Sequence, residues 1–217
     1  MEPEEGEIVK RILIVAAHSD DPIIGAGGTI RELSKLGHEV CALSVCGDRI
    51  DGYSEAMKLL GSRAEHFEFS YGQIDEERFS EELEKFMKSF NPDVVFTHWQ
   101  SEILYDHEVV SKHAVMLARK LEKQIYLFEI PASSLDFRFD VAIDVSGSYE
   151  FKKKAIELMR NAFEKEVFEK EIMPSIVFPS GFRGIQVGCA YAEVFKHLGS
   201  RFPLSPYNKW LIELEKL

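Results

Sequence analysis

Arg11-Ile12-Leu13-Ile14-Val15-Ala16-Ala17-His18-Ser19-Asp20-Asp21 is the stretch from which the fold can be read. Its first half is an unbroken aliphatic run, the pattern of a strand buried on both faces of a parallel sheet. The run then breaks into one histidine and two carboxylates within four positions. Ligands of open α/β sheets bind outside the carboxyl ends of the strands. The polar cluster therefore marks a site, with two potential ligands for a divalent metal and a spare carboxylate beside them.

Working outward, strand-like runs at 12–16, 40–45, 66–69, 94–97 and 125–129 alternate with helical patterns near 25–36, 54–60, 76–90 and 107–121. This rhythm predicts right-handed crossovers and a doubly wound, mainly parallel, Rossmann-like α/β sheet. After about Pro131 the pattern changes. Residues 139–145 read as a further strand and 147–171 as a long amphipathic helix. Pro174, Pro179, Gly181 and Gly184 then read as breaks before a last helical run over 187–198. The expectation is a single domain over 1–217, with a core at about 10–130 and a C-terminal α/β extension at about 131–217. Gly25-Ala26-Gly27-Gly28 invites comparison with a dinucleotide loop, with Asp48 as the ribose-binding acid. The third glycine of that fingerprint falls on Ile30, however, and Asp20-Asp21 would repel a pyrophosphate. These glycines are expected to let the first helix pack closely on the sheet.

The chain has 217 residues, with Lys+Arg 26 against Asp+Glu 37, a net charge of −11. Such a balance argues against non-specific nucleic-acid binding, which needs a basic surface. No apolar run approaches the roughly 20 residues that span a bilayer. The acidic start Met1-Glu2-Pro3-Glu4-Glu5 lacks the features of a secretory signal, so a cytoplasmic location is expected. Cys41, Cys46 and Cys189 form no C-x-x-C pair and read as free thiols, Cys41 and Cys46 in a buried run.

A second polar cluster, Thr97-His98-Trp99-Gln100-Ser101-Glu102-Ile103-Leu104-Tyr105-Asp106-His107, follows the run at 94–97. First and fourth strands often lie side by side at a topological switch point, which would open both clusters onto one crevice. His18, Asp21 and His107 would then form a His-His-carboxylate site with a fourth position for water, the arrangement of a catalytic zinc centre. Asp20 is the candidate general base. The same ligand type also serves non-heme iron oxygenases, so Fe2+ stands as the alternative to Zn2+.

These residues resemble the LmbE-like, or PIG-L-type, zinc-dependent N-acetylglucosaminyl deacetylases. Ala17-His18-Ser19-Asp20-Asp21-Pro22 is similar to that family's Ala-His-Pro-Asp-Asp-Glu, and Gly27-Gly28-Thr29 to its Gly-Gly-Thr. Thr97 through His107 resembles its Thr-His-x-x-x-Asp-x-His-x-Asp-His. Arg183-Gly184 and Ala192-Glu193-Val194-Phe195 resemble its closing motifs. The resemblance implies metal ligation by His18, Asp21 and His107, base catalysis by Asp20, an orienting role for Asp106 and substrate contact by Arg49. Three positions depart from the family. Ser19 and Pro22 replace a Pro and a Glu, and Leu104 stands where the family has a His that polarises the carbonyl or protonates the amine. His98 is the expected substitute donor. The resemblance implies a hydrolase that removes an N-acetyl group from a small-molecule amino sugar or sugar conjugate, without membrane insertion, and leaves homo-oligomerisation open. The alternative is a non-catalytic metal- and sugar-binding relative.

Overall fold

The computed structural model describes residues 9–199; the acidic start on which the signal-peptide reading rests lies outside them. β1 (Arg11–Ala16), α1 (Asp21–Lys35), β2 (Glu39–Cys46), α2 (Tyr53–Leu60), β3 (Arg63–Phe69), α3 (Glu76–Phe90), β4 (Val94–His98), α4 (Tyr105–Lys120) and β5 (Gln124–Phe128) alternate as the pattern predicts. They build one seven-stranded sheet together with β6 (Val141–Asp144) and β7 (Ala192–His197), in the order β3-β2-β1-β4-β5-β7-β6. The first five are parallel, and β7 runs antiparallel to both β5 and β6. Strand order reverses between β1 and β4, so the two polar clusters emerge side by side.

Alternation along β1 explains why this strand carries no polar residue from Ile12 onward. Ile12, Ile14 and Ala16 enter one core, with α1 and α2, while Leu13, Val15 and Ala17 enter the other, with α3 and α4. α3 shows how a largely charged segment still forms a helix. Asp75 Oδ1 caps it by accepting from Arg78 N at 3.0 Å, and Phe79, Leu83, Met87 and Phe90 bury one stripe. Asn91, in the left-handed region at φ 48°, ends it.

The C-terminal third departs from the sequence pattern. The helix expected over 147–171 is confined to α5 (Tyr149–Leu158). A 3-10 turn (Arg160–Ala162), the short α6 (Lys165–Val167) and a π-helical turn (Phe168–Ile172) follow. The expected breaks at Pro174, Pro179, Gly181 and Gly184 lie inside α7 (Met173–Val187). Pro174 sits in the first turn of α7, directly after the π-helical turn. Ile176, Ser180 and Gly184 form a buried face at helical spacing, and a Cβ at Gly184 would stand 2.6 Å from the Ala190 carbonyl oxygen. Packing of that face outweighs the propensity cost of Pro179. The helix expected over 187–198 is instead strand β7, since Gly188 at φ 87° stops α7 and the next apolar run fills the gap between β5 and β6. A short apolar run without breakers has no period of its own, and pairing decides it.

The glycines of α1 pack as expected: a Cβ on Gly25 would stand 2.4 Å from the Phe128 ring, and one on Gly28 2.6 Å from Val145 Cβ. The N–H groups of Gly28 and Thr29 donate to the Glu193 carboxylate at 2.9 and 2.8 Å. Glu193 in turn holds the Lys152 ammonium at 2.6 Å, which also donates to the Ile24 carbonyl at 2.8 Å. This pair is almost fully buried, with side-chain exposures of 2% and 3%. Removing one member of a buried pair strands the other, at about 3–5 kcal/mol. Lys152→Ala should therefore lower urea-unfolding stability by about that much, whereas Lys170→Ala, which breaks the exposed pair with Glu166, should cost under about 1 kcal/mol.

Candidate metal centre

Ala17 carries the chain off the end of β1, its N–H donating to His98 Nε2 at 2.9 Å and its carbonyl accepting from Cys46 N at 2.8 Å. The chain then turns directly into α1. Ser19 fixes this turn by donating its hydroxyl to the Arg49 carbonyl at 2.7 Å. Pro22 occupies the first turn of α1, a position suited to proline. Asp20 stands at the N-cap, yet its side chain caps no helix N–H. Asp21 folds back, its Oδ2 accepting from His18 N at 2.8 Å.

Three donor atoms converge here from two strand ends. His18 Nδ1 lies 3.1 Å from His107 Nε2, and Asp21 Oδ2 is 3.4 Å from each. A tetrahedral ion with bonds of 2.0–2.1 Å spaces its ligands by about 3.3–3.4 Å. His18, Asp21 and His107 therefore form a triangle of the size that a zinc-like cation requires.

The outer nitrogens of both imidazoles have partners of their own. His18 Nε2 is 3.1 Å from Asp106 Oδ2, which also accepts from Gly72 N at 2.8 Å. His107 Nδ1 is 3.2 Å from Ser133 Oγ and 3.5 Å from Glu102 Oε2. A carboxylate can only accept, so it holds the proton on the outer nitrogen and leaves the inner lone pair to a metal. Burial works against charge on His18, yet Asp106 and Asp21 outweigh it and push its pKa up. His107 is raised too, Asp21 and Glu102 overcoming its burial. The cluster thus demands positive charge between its carboxylates, as protons or as a cation.

The adjacent carboxylates are split. Burial and the neighbouring Asp21 charge raise the Asp20 pKa to about 6. Burial would raise Asp21 as well, but His107 and His98 hold it well below the usual range. One carboxylate stays ionised in the triangle, while the other can exchange a proton near neutrality.

The remaining expected residues are placed differently. Arg49 is exposed at the rim, its guanidinium 5.6 Å from the centre of the Tyr71 ring, which stacks on His18 at 4.7 Å. Leu104 is half-buried at the N-cap of α4. His98 lies behind the triangle, fully buried and stacked on His107 at 4.1 Å. Its Nε2 accepts from Ala17 N and lies 3.4 Å from Asp21 Oδ2, and burial together with His107 lowers its pKa. Tyr71, Gly72, Glu102 and Ser133 were not identified from sequence. Glu102 lies within the second cluster, but its pairing with His107 depends on the loop's path. Ser133 and Tyr71 come from connections that read only as turns.

No family model matches the chain. Its fold is similar to that of N,N'-diacetylchitobiose deacetylase from Pyrococcus horikoshii, with TM-score 0.77 and 21% identity over 93% of this chain and 88% of that one. It is also similar to GalB, the 4-carboxy-2-hydroxymuconate hydratase of Pseudomonas putida, at TM-score 0.75 and 19% identity over 91% and 99%. A third similar structure is the zinc-inhibited form of teicoplanin deacetylase Orf2, at TM-score 0.73 and 13% identity over 90% and 100%. At these identities the shared property is the fold.

Loss of an orienting partner typically lowers metal affinity about 10–100-fold. Asp106→Asn should weaken divalent-metal binding by that factor in competition with a chromophoric chelator, and His107→Ala should weaken binding at the triangle further.

Proposed function

We propose that the protein is a zinc-dependent N-deacetylase acting on an N-acetylated amino sugar or sugar conjugate. The observation that carries this reading is the His18–Asp21–His107 triangle with Asp20 beside it, its pKa at about 6. The deacetylases among the structural neighbours support it. Zinc bound by the triangle would lower the pKa of a coordinated water and polarise the amide carbonyl. Asp20 takes the proton from the attacking water and delivers it to the departing amine, a role suited to a carboxyl that titrates near neutrality. Asp106, Glu102 and Ser133 keep His18 and His107 in the ligating tautomer. His98 supports His107 and anchors Ala17, and in this reading it donates no proton to substrate. Arg49 and Tyr71 form the rim that contacts the sugar, where an aromatic face and a guanidinium suit hydroxyl-rich rings.

Leu104 stands in place of a polar donor and His98 packs against His107, so a metal held by the triangle would have to supply the carbonyl polarisation. That feature favours a second reading, a metal- and sugar-binding protein without turnover. Mass-spectrometric screening of N-acetylglucosamine conjugates for loss of the acyl mass, with zinc present, separates the two. Amine release abolished by Asp20→Asn supports the enzyme, and binding without release supports the second reading.

Asp20→Asn should lower kcat by about 10²–10⁴ with metal content unchanged. One oxyanion donor is worth on the order of 10²–10³ in kcat elsewhere, so Leu104→His should raise turnover, by up to about 10²-fold, in steady-state assays of the zinc-loaded protein.

A further inference from the structure

His18 has two ring edges, and each faces its own set of donors. Nδ1 faces His107 and Asp21. Cys46, Asp106 and His18 each offer one atom within 4.8 Å of the others, and the His18 nitrogen in contact with Asp106 is Nε2. Cys46 ends β2 with no exposure, and Asp106 is 3% exposed. Asp106 Oδ1 is buried without a hydrogen-bond partner. The proposed hydrolysis uses neither the thiol nor this oxygen. Thiolate, imidazole and carboxylate together are a donor set for zinc and cadmium, and not for magnesium or calcium.

We propose that His18, Cys46 and Asp106 form a second, inhibitory site for a thiophilic divalent cation, and that occupancy of this site excludes a metal from the His18–Asp21–His107 triangle. A neutral imidazole has one lone pair. With its proton on Nε2, facing Asp106, His18 ligates through Nδ1 in the triangle. A cation on the Cys46 side needs the lone pair on Nε2, so the ring proton moves to Nδ1 and the triangle loses a ligand. The Cys46 S–H bond breaks as the sulfur–metal bond forms, and that proton goes to solvent; no electrons are transferred. Cys46 is fully buried and Asp106 nearly so, so a cation reaches the site slowly. Inhibition rests on the deacetylase reading; the binding does not.

The test is a cadmium titration of the zinc-loaded protein in a Cys189→Ser background, which removes the part-exposed thiol. Two quantities are read: the ultraviolet thiolate-to-cadmium charge-transfer band and the zinc released. The expected result is a slowly developing band equivalent to about one cadmium per chain, with about one zinc released for each. Cys46→Ser and Cys46→Ala should lose the band, and His107→Ala should keep it. A band that persists in both Cys46 variants, or none in the parent, overturns the site. A full band with zinc retained overturns the mutual exclusion. Loss of deacetylase activity in every form would sink the function proposed above without touching either result.

Discussion

The salt bridge between Lys152 and Glu193 is the interaction on which the arrangement of this molecule turns. Its ammonium takes the carbonyl of Ile24, and its carboxylate takes the N–H of Gly28, the two ends of one rung of α1. α1 begins with Asp21, the third member of the candidate metal triangle, so the position of Asp21 depends on where this helix is held. Three elements distant in sequence meet at the pair: α1, α5 and β7. The glycines of α1 make the meeting possible, since any side chain at Gly25 or Gly28 would displace Phe128 or Val145. A buried pair contributes little net stability against an apolar replacement. Its value here is geometric, because charge and hydrogen-bond direction fix where the helix sits.

At the candidate site the decisive constraint is electrostatic. Four carboxylates, Asp20, Asp21, Glu102 and Asp106, surround His18 and His107 in a space almost without solvent. Left alone, such a cluster recruits protons, and the raised pKa values of His18 and His107 express that demand. A divalent cation meets it in a different way, with ligand spacings already set by the backbone. The same crowding separates Asp20 from Asp21, although they are chain neighbours of identical chemistry. Asp21 faces the histidines, and Asp20 faces mainly Asp21 and low-dielectric surroundings.

Much of this was legible from sequence because it is local. The aliphatic run of β1 and its abrupt polar end placed the sheet centre and the first half of the triangle. The second cluster after β4 gave His107 and Asp106. What was not legible depends on long-range pairing. β7 lacks a period of its own and becomes a strand by filling the space between β5 and β6. α7 keeps its helix through proline because one face is packed. Glu102 and Ser133 reach His107 through loops whose path no spacing rule encodes. His98, polar and beside the cluster, points to chemistry, and the structure uses its Nε2 to accept the Ala17 N–H.

The contact between Glu193 and Gly28 spans 165 residues of chain. During synthesis α1 can form its turns early, but its carboxylate partner emerges from the ribosome only after that entire interval. Throughout it, Gly28 and Thr29 offer N–H groups with no acid to receive them, and β5 presents an unpaired edge where β7 will lie. Native pairings of such separation are slow to form, and the chain is open to aggregation while it waits. The nascent protein therefore passes through a long period in which the sheet's parallel half exists without its closing strand.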